Sequence, residues 1–328
     1  MEQKVVMVTG GAGFVGSHLV ELLLLREYEV HVLDRVAWQE ARNLDDVREH
    51  PCLHYTQGDL RDAAAVKAFY RPEASVLYHL ASVVGVPHYM ADPLALIDTA
   101  VFGTRILLDF AQAHGTRFLF ASTSEVYGKN PSLPWSEDAD RVLGPTSIDR
   151  WSYSTSKALC EHMLWAVHRR SGLPITIVRF FNAYGPRQSP IYVVSRSIVR
   201  ALRGESPWLF DDGTQTRCFS YVGDVVEGVL RAATSPQGVG EAFNLGHPVV
   251  STMREVIEEI LVLTGATQGW VKVETQSYFG DTFEEIPHRV PNVAKAATLL
   301  GWCADTNLRQ GLQASVAWAR SHPWYLAS

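Results

Sequence analysis

Val5-Val-Met-Val8, then Gly10-Gly-Ala-Gly13-Phe-Val-Gly16, then Asp34 eighteen residues further on: this stretch decides the fold. The valine-rich run reads as a strand buried on both faces. Residues 14–26 carry helical periodicity, and 29–33 form a second strand that ends at Asp34. In the glycine turn, Gly10 permits the tight reversal, Gly13 lets the backbone approach a pyrophosphate, and Gly16 allows the helix to pack against the strand. The phosphates of a dinucleotide would sit at the helix N-terminus, where free N–H groups and the dipole favour anions. Asp34 is placed for the ribose hydroxyls of an adenosine. It would repel a 2′-phosphate, so NAD is favoured over NADP, although Arg35 beside it keeps NADP open.

Outward from this unit the alternation continues. Strands are predicted at 53–57, 75–80, 117–121 and 175–180, with helices at 62–70, 93–114 and 151–170 between them. Short βα connections of this kind predict an α/β fold, a Rossmann-type doubly wound parallel sheet flanked by helices. After Pro186 the character shifts to a smaller mixed α/β C-terminal lobe. It holds helices near 193–203, 252–264, 293–300 and 308–320 and a short strand at 208–210. We therefore expect a dinucleotide-binding domain over 1–181, with 219–245 returning to it, and a substrate lobe over 182–328. The stretch 131–145, with Glu137, Asp138 and Asp140, reads as a long polar surface loop. No internal repeat or low-complexity linker is present.

Composition narrows the class. The 328 residues are 47% hydrophobic and 20% charged, enough for a large core, and the net charge of -6 carries no nucleic-acid footprint. Cys52, Cys160, Cys218 and Cys303 are far apart, without a C-x-x-C pair, so reduced thiols and no metal site are expected. No apolar run approaches a membrane span, and no Lys/Arg run suggests a membrane patch. A soluble cytoplasmic protein is the expectation.

Ligands of doubly wound sheets bind beyond the carboxyl ends of the strands. There the chain places Ser122-Thr-Ser-Glu-Val-Tyr-Gly128 and Asn182-Ala-Tyr-Gly-Pro-Arg187. Between them, Tyr153 and Lys157 stand four residues apart on one helix face. Tyrosine is a poor base, with a reference pKa of about 10, and a fixed ammonium beside it favours the phenolate. Such a pair exchanges protons with an alcohol.

Taken together, the glycine turn, Asp34, Gly58-Asp59-Leu60, Tyr78-His-Leu-Ala-Ser82, Ser122–Gly128, Tyr153/Lys157, Asn182–Arg187 and Gln215–Phe219 resemble the extended short-chain dehydrogenases/reductases that act on nucleotide sugars. The likeness runs nearly end to end. Within that family the 122–128 loop, Val86-Pro-His-Tyr89-Met90, Tyr278-Phe-Gly280, Phe283-Glu-Glu and His288-Arg289-Val-Pro291 are most similar to the UDP-glucuronate decarboxylase branch, which makes UDP-xylose. The resemblance implies that NAD is held by Gly10, Gly13, Phe14, Val15, Gly16, Asp34, Arg35, Asp59, Leu60, Leu80, Ala81, Ser82, Thr99, Tyr153 and Lys157. It implies catalysis at C4 of a UDP-sugar by Thr123, Tyr153 and Lys157. After C4 oxidation, Glu125 is the implied acid or ordering group and Arg289 the partner of an acidic sugar. Substrate contacts are implied for Tyr89, Thr123, Glu125, Asn182, Arg187, Arg217, Tyr278 and Arg289, and a homodimer through helices 93–114 and 151–170.

Two positions depart from the family pattern. Ala100 stands where many relatives have Asn, and Lys129 follows Gly128 where the decarboxylase loop commonly has Asp. The resemblance also admits a 4-epimerase of UDP-glucuronate or a UDP-hexose. A 4,6-dehydratase fits less well, because that branch usually has Asp-Glu in place of Ser124-Glu125. A non-catalytic NAD-binding regulator would have no use for the Thr123, Tyr153 and Lys157 set.

Overall fold

Seven strands form one wholly parallel sheet: β1 (Val5–Thr9), β2 (Glu29–Asp34), β3 (Leu53–Gln57), β4 (Val76–His79), β5 (Arg117–Thr123), β6 (Ile175–Phe180) and β11 (Glu241–Leu245). Their spatial order is β11-β6-β5-β4-β1-β2-β3. The order reverses between β1 and β4, and a ligand crevice belongs at such a switch point. The computed structural model describes residues 4–327.

Helices cover both faces. On one face α1 (Phe14–Leu25) and α7 (Val222–Thr234) bury Leu19, Val20, Leu23, Val226 and Val229 against Val6, Val8, Val30 and Val32. On the other, α4 (Pro93–His114) and α5 (Arg150–Ser171) set Leu107, Leu108, Cys160 and Leu164 against Met7, Leu77, Phe118 and Phe120. Both long helices stop at a left-handed glycine, Gly115 and Gly172, as a chain needs where it must turn without a Cβ penalty. Shorter helices are α2 (Ala63–Phe69) and α3 (Val86–Ala91), the latter in a stretch with no predicted element.

Beyond β6 the chain builds a second layer over the carboxyl ends. It comprises the short strands β7 (Ala183–Tyr184), β8 (Trp208–Phe210), β9 (Thr216–Arg217), β10 (Ser220–Tyr221), β12 (Ser251–Thr252), β13 (Val271–Val273) and β14 (His288–Arg289). Its helices are α6 (Val193–Leu202), α8 (Met253–Thr264) and α9 (Thr275–Phe279). A separate apolar cluster of Val194, Ile198, Val256, Ile260, Leu312 and Val316 holds this layer together. β14 pairs with β9 in parallel and so sets Arg289 beside Arg217, residues 72 positions apart in sequence from His288 to Thr216.

Two local readings change. β5 runs on to Thr123, so Ser122 and Thr123 are strand residues. The 131–145 stretch is not simply a solvated loop. Trp135 is 1% exposed and packs on Tyr127 and Phe181, while Glu137 accepts the Asn244 amide of β11 at 2.8 Å. One large aromatic outweighs the polar composition around it, because its burial is worth more than the solvation of its neighbours. Among the described residues, no helix is long and apolar enough to cross a membrane.

Candidate active site

The carboxyl ends of β1, β4, β5 and β6 open onto one continuous cleft of about 590 Å³. Gly10 turns at its floor with φ +74°, and a Cβ there would stand 2.7 Å from the Ala81 backbone. A Cβ on Gly16 would lie 2.0 Å from the Gly10 carbonyl oxygen, so α1 approaches β1 this closely only with glycine. Helix α1 starts behind Gly13 with no side-chain cap and no acidic residue in its first turn. The first-turn amides of Phe14, Val15 and Gly16 therefore suit an anion, with the helix dipole behind them. At the end of β2, Asp34 accepts from the Ala12 and Val36 amides at 3.0 and 3.1 Å. Burial pushes its carboxyl above the ordinary range, against the pull of those amides. A cradle a Cβ would fill, an uncapped helix start and a strand-end carboxylate together fit a dinucleotide.

The Tyr153/Lys157 pair, expected to transfer protons, lies where β5 meets α5. Lys157 is 3% exposed, donates to the Ala121 carbonyl at 2.8 Å and stands 4.7 Å from the centre of the Phe120 ring. Burial pushes its ammonium down to about 8. Tyr153, one helical turn earlier, is half-buried and lines the cleft. Thr123 lines it too, while its Oγ1 accepts the Glu125 amide at 3.2 Å and caps the turn that follows. Capping a turn and facing the ligand are here the same position. Beneath, His79 bridges Thr9 and Thr104 at 2.8 and 2.9 Å, and burial pushes its pKa down to about 3, so it is a neutral strut.

The far end of the cleft is a charge cluster. Glu125, 8% exposed, makes ion pairs with Arg150 and, at 3.2 Å, with Arg289. Burial alone would raise its pKa, but the two guanidinium groups outweigh burial and hold the carboxyl below its ordinary range. The Nε of Arg289 is buried with no acceptor among the described residues, an N–H still open to a ligand anion. Arg217 pairs with Glu285 at 2.6 Å, and burial pushes it down to about 10, still cationic at neutral pH. A segment from Thr282 to Arg289 thus walls this end. It is pinned outside by Lys129, whose Nζ meets Glu284 at 2.5 Å while Trp151 donates to the same carboxylate at 2.9 Å.

The sequence profile of the NAD dependent epimerase/dehydratase family matches residues 6–246. The chain belongs to this family. One relative, UDP-N-acetyl-alpha-D-glucosaminuronate decarboxylase of Bacillus cytotoxicus, is 37% identical over 97% of this chain and 98% of its own length. UDP-glucuronic acid decarboxylase 1 of Xenopus tropicalis is 33% identical over 97% of this chain and 73% of its own. Among solved structures, a UDP-glucuronic acid 4-epimerase of Bacillus cereus in complex with UDP-4-deoxy-4-fluoro-glucuronic acid and NAD is similar with a TM-score of 0.85. It is 26% identical, covering 97% of this chain and 99% of that one.

As an NAD-dependent epimerase/dehydratase the chain uses NAD, and the glycine-bounded cradle is built to hold it. Every residue predicted for the cofactor lines the cleft: Gly10, Gly13, Phe14, Val15, Gly16, Asp34, Arg35, Asp59, Leu60, Leu80, Ala81, Ser82 and Thr99, with Tyr153 and Lys157. Asp59 pairs with Arg61 at 2.7 Å at the rim. Thr123, Glu125, Asn182, Arg217 and Arg289, predicted for the substrate, line the same cleft. Two predicted contacts stand elsewhere. Arg187, at φ +67°, turns away to Glu21 and Asp46, at 2.5 and 3.0 Å, and does not line the cleft. Tyr278 is 43% exposed and packs on Trp208, Phe210 and Phe279 outside the lining. The side chain of Tyr89 lies outside the described residues.

Sequence reasoning missed Arg150, which is 1% exposed and opens α5 three residues before Tyr153. The i,i+3 spacing, which places it on the Tyr153 face, was the available signal. It also missed Arg196, which lines the cleft and lies 4.9 Å from the Trp208 ring centre and 5.3 Å from that of Phe210. The group Glu29, His31 and His54 has metal-ligand reach, but it sits at the opposite end of the sheet from the cleft, where the two imidazole Nε2 atoms meet the Glu29 carboxylate at 2.9 and 3.3 Å.

Proposed function

We propose that this chain is an NAD-dependent decarboxylase of a UDP-uronic acid, with UDP-glucuronate as substrate and UDP-xylose, or its 4-keto form, as product. The observation that carries the reading is the Arg150–Glu125–Arg289 cluster, with an open Arg289 N–H, at the end of a cleft whose other half holds Tyr153 and Lys157. In this reading Tyr153, kept acidic by the Lys157 ammonium, takes the proton of the sugar 4-hydroxyl, and Thr123 shares that oxygen through a hydrogen bond. NAD, when bound, supplies the acceptor and later the donor of the C4 hydride, so no net oxidation appears when UDP-xylose is the product; release of the 4-keto form would leave the cofactor as NADH. The 4-keto uronate is a β-keto acid, and the ketone is the electron sink for loss of CO2.

Arg150 and Arg289 orient the C6 carboxylate beside that ketone. Glu125, held ionised, serves as their ordering group; the enolate left by loss of CO2 takes its C5 proton from solvent water, and Tyr153 returns its proton to the C4 oxygen as the hydride comes back. Arg217 takes the diphosphate and Asn182 the oxygens near it. The lobe after residue 181 carries these substrate contacts, and the sheet before it carries NAD. A homodimer through α4 and α5 belongs to the same proposal, supported by the exposed Leu94, Phe102 and Leu159 on those helices.

The deciding experiment is incubation of the pure protein with NAD and UDP-glucuronate, and in parallel with its 2-acetamido analogue, followed by nucleotide-sugar and CO2 analysis. CO2 with a pentose product supports the proposal. A product that keeps its carboxylate and inverts C4 overturns it in favour of a 4-epimerase.

A further inference from the structure

We propose that the buried Glu161–Arg179 pair is a positioning device for the proton-transfer centre: it locks the end of β5 against α5 and keeps the Lys157 ammonium charged. The inference rests on Lys157 acting as the cationic partner of Tyr153.

Glu161 stands one helical turn after Lys157 on α5 and is 5% exposed. Its Oε1 accepts from Ser122 Oγ at 2.5 Å and from Arg179 Nε at 3.0 Å, and its Oε2 from Arg179 Nη2 at 2.6 Å. That is a bidentate pair of the strong, geometry-fixing kind. Ser122, Arg179 and Asn244 are register partners across β5, β6 and β11, so they form one row across the sheet. Arg179 reaches further, to the Tyr127 hydroxyl and the Glu137 carbonyl, both at 2.7 Å, and Tyr127 donates to Asn244 at 2.7 Å.

The row thus ties three strands, the turn after Thr123 and the 131–145 stretch to a single carboxylate on the catalytic helix. Ser122 lies between Ala121, whose carbonyl holds Lys157, and Thr123, which lines the cleft. A shift of Ser122 relative to Glu161 must move both neighbours. No step of the proposed reaction uses Glu161 or Arg179, and two buried charges are costly to keep without a function that needs them there.

The charge has its own consequence. Burial lowers the Lys157 ammonium, and Cys160 and Glu161 on α5 act against that. Tyr153, one turn earlier, is the phenol the ammonium serves; the other groups described around the lysine add little or no negative charge. His79 of β4 is neutral, the Cys160 thiol is pushed up by burial, and the Arg179 guanidinium is paired to Glu161. Glu161 is therefore the carboxylate on α5 that acts against the burial of the lysine. Without it, Lys157 loses its proton at lower pH.

Two readouts test this. In protein labelled with carbon-13 at the lysine ε position, Lys157 is assigned by its loss in Lys157→Met and titrated by NMR without substrate. Glu161→Gln keeps shape and removes charge. Its Lys157 midpoint is expected to fall by at least ~0.5 pH unit below that of the wild type. An unchanged midpoint overturns the charge half of the proposal. Ser122→Ala changes no charge and leaves a fold-tolerant methyl. We expect kcat for C4 oxidation, followed as NADH on mixing with UDP-sugar, to drop ~10-fold with KM within twofold and the alkaline limb unmoved. An unaltered kcat in Ser122→Ala overturns the positioning half, and this variant carries the test if Glu161→Gln fails to fold. C4 oxidation is common to decarboxylase and epimerase, and the NMR titration needs no turnover. Failure here is therefore separate from failure of the proposed function, which is read from product identity.

Discussion

Arg150→Met removes one of the two cations that face Glu125 and leaves a side chain of similar length. Breaking one partner of a buried ion pair costs roughly 3–5 kcal/mol. Arg289 remains on Glu125 at 3.2 Å, so the low end, ~3 kcal/mol, applies. For a chain of this size that is a fall in Tm of ~6 °C, taking ~2 °C per kcal/mol. The pH dependence has a definite sign. The Glu125 pKa in the folded protein lies below its ordinary 4.5, so its stabilisation is fully present above that value and is lost as pH falls through the depressed one. The difference in Tm between wild type and variant should therefore be largest near neutrality and shrink as the acid limb is entered.

The kinetic consequence is sharper. A charge-assisted hydrogen bond to the substrate carboxylate is worth ~1.5–3 kcal/mol, so kcat/KM for UDP-glucuronate should fall roughly 10- to 150-fold. Oxidation of UDP-glucose at C4, which has no C6 carboxylate, should change by less than about threefold, because the diphosphate and C4 contacts are untouched. The assay is stopped-flow NADH absorbance with each sugar, alongside calorimetry from pH 4 to 8. A variant that keeps the wild-type preference for the uronate would refute the assignment of Arg150 to the carboxylate, whatever its Tm.

Three further outcomes follow from the geometry. Tyr153→Phe should abolish NADH formation on mixing with substrate, by at least ~10³-fold, while NAD affinity and Tm stay near wild type; substantial residual oxidation would remove its role as base. Gly16→Ala places a methyl 2.0 Å from the Gly10 carbonyl and should weaken NAD binding more than ~100-fold in a fluorescence titration, and a near-normal affinity would show that the turn relaxes freely. Lys129→Asp sets a carboxylate against Glu284. Both partners are about a third exposed, so the stability change should stay under ~1 kcal/mol, but KM for the UDP-sugar should rise several-fold as the 282–289 wall loosens, and an unchanged KM would make the pair a mere surface contact.

How much of this was legible in the sequence depended on distance along the chain. The cofactor half was readable because each of its parts is local. The glycine turn, the strand-end Asp34 and the Tyr153/Lys157 spacing each declare their geometry within one strand–turn–helix unit. Arg150 was readable only as a neighbour of Tyr153 on its helix face; its partnership was not, since Glu125 lies 25 residues upstream, and Arg289 meets that same carboxylate from 164 residues downstream. A lone arginine at a helix start carries no mark of such company. Arg187 fails for a related reason: a motif fixes the turn, but its positive φ sends the side chain toward Glu21 on α1 and not into the cleft. Lys129 is the reverse case. As a departure from the family pattern it had no account until Glu284 and Trp151, from separate segments, appeared beside it.

The arrangement of charges also bears on how a sugar with a C6 carboxylate would be chosen over one without. At the far end of the cleft, Arg150 and Arg289 both face Glu125, and Arg217 faces Glu285. These arginines are not idle positive charges waiting for any anion, because a buried unpaired guanidinium would be costly. A UDP-sugar entering this cleft must offer replacements for the contacts it displaces. Its diphosphate can do so for Arg217 whatever the sugar. At the Glu125 end, a neutral hydroxymethyl group offers no charge and leaves the cluster closed. A carboxylate meets the open Nε of Arg289 and can take a guanidinium from Glu125 without leaving either charge bare. On the proposed roles, discrimination then comes from an exchange of ion pairs in which only the acidic sugar can take part, and it is felt already in the binding that precedes C4 oxidation, which is why NADH formation reads it.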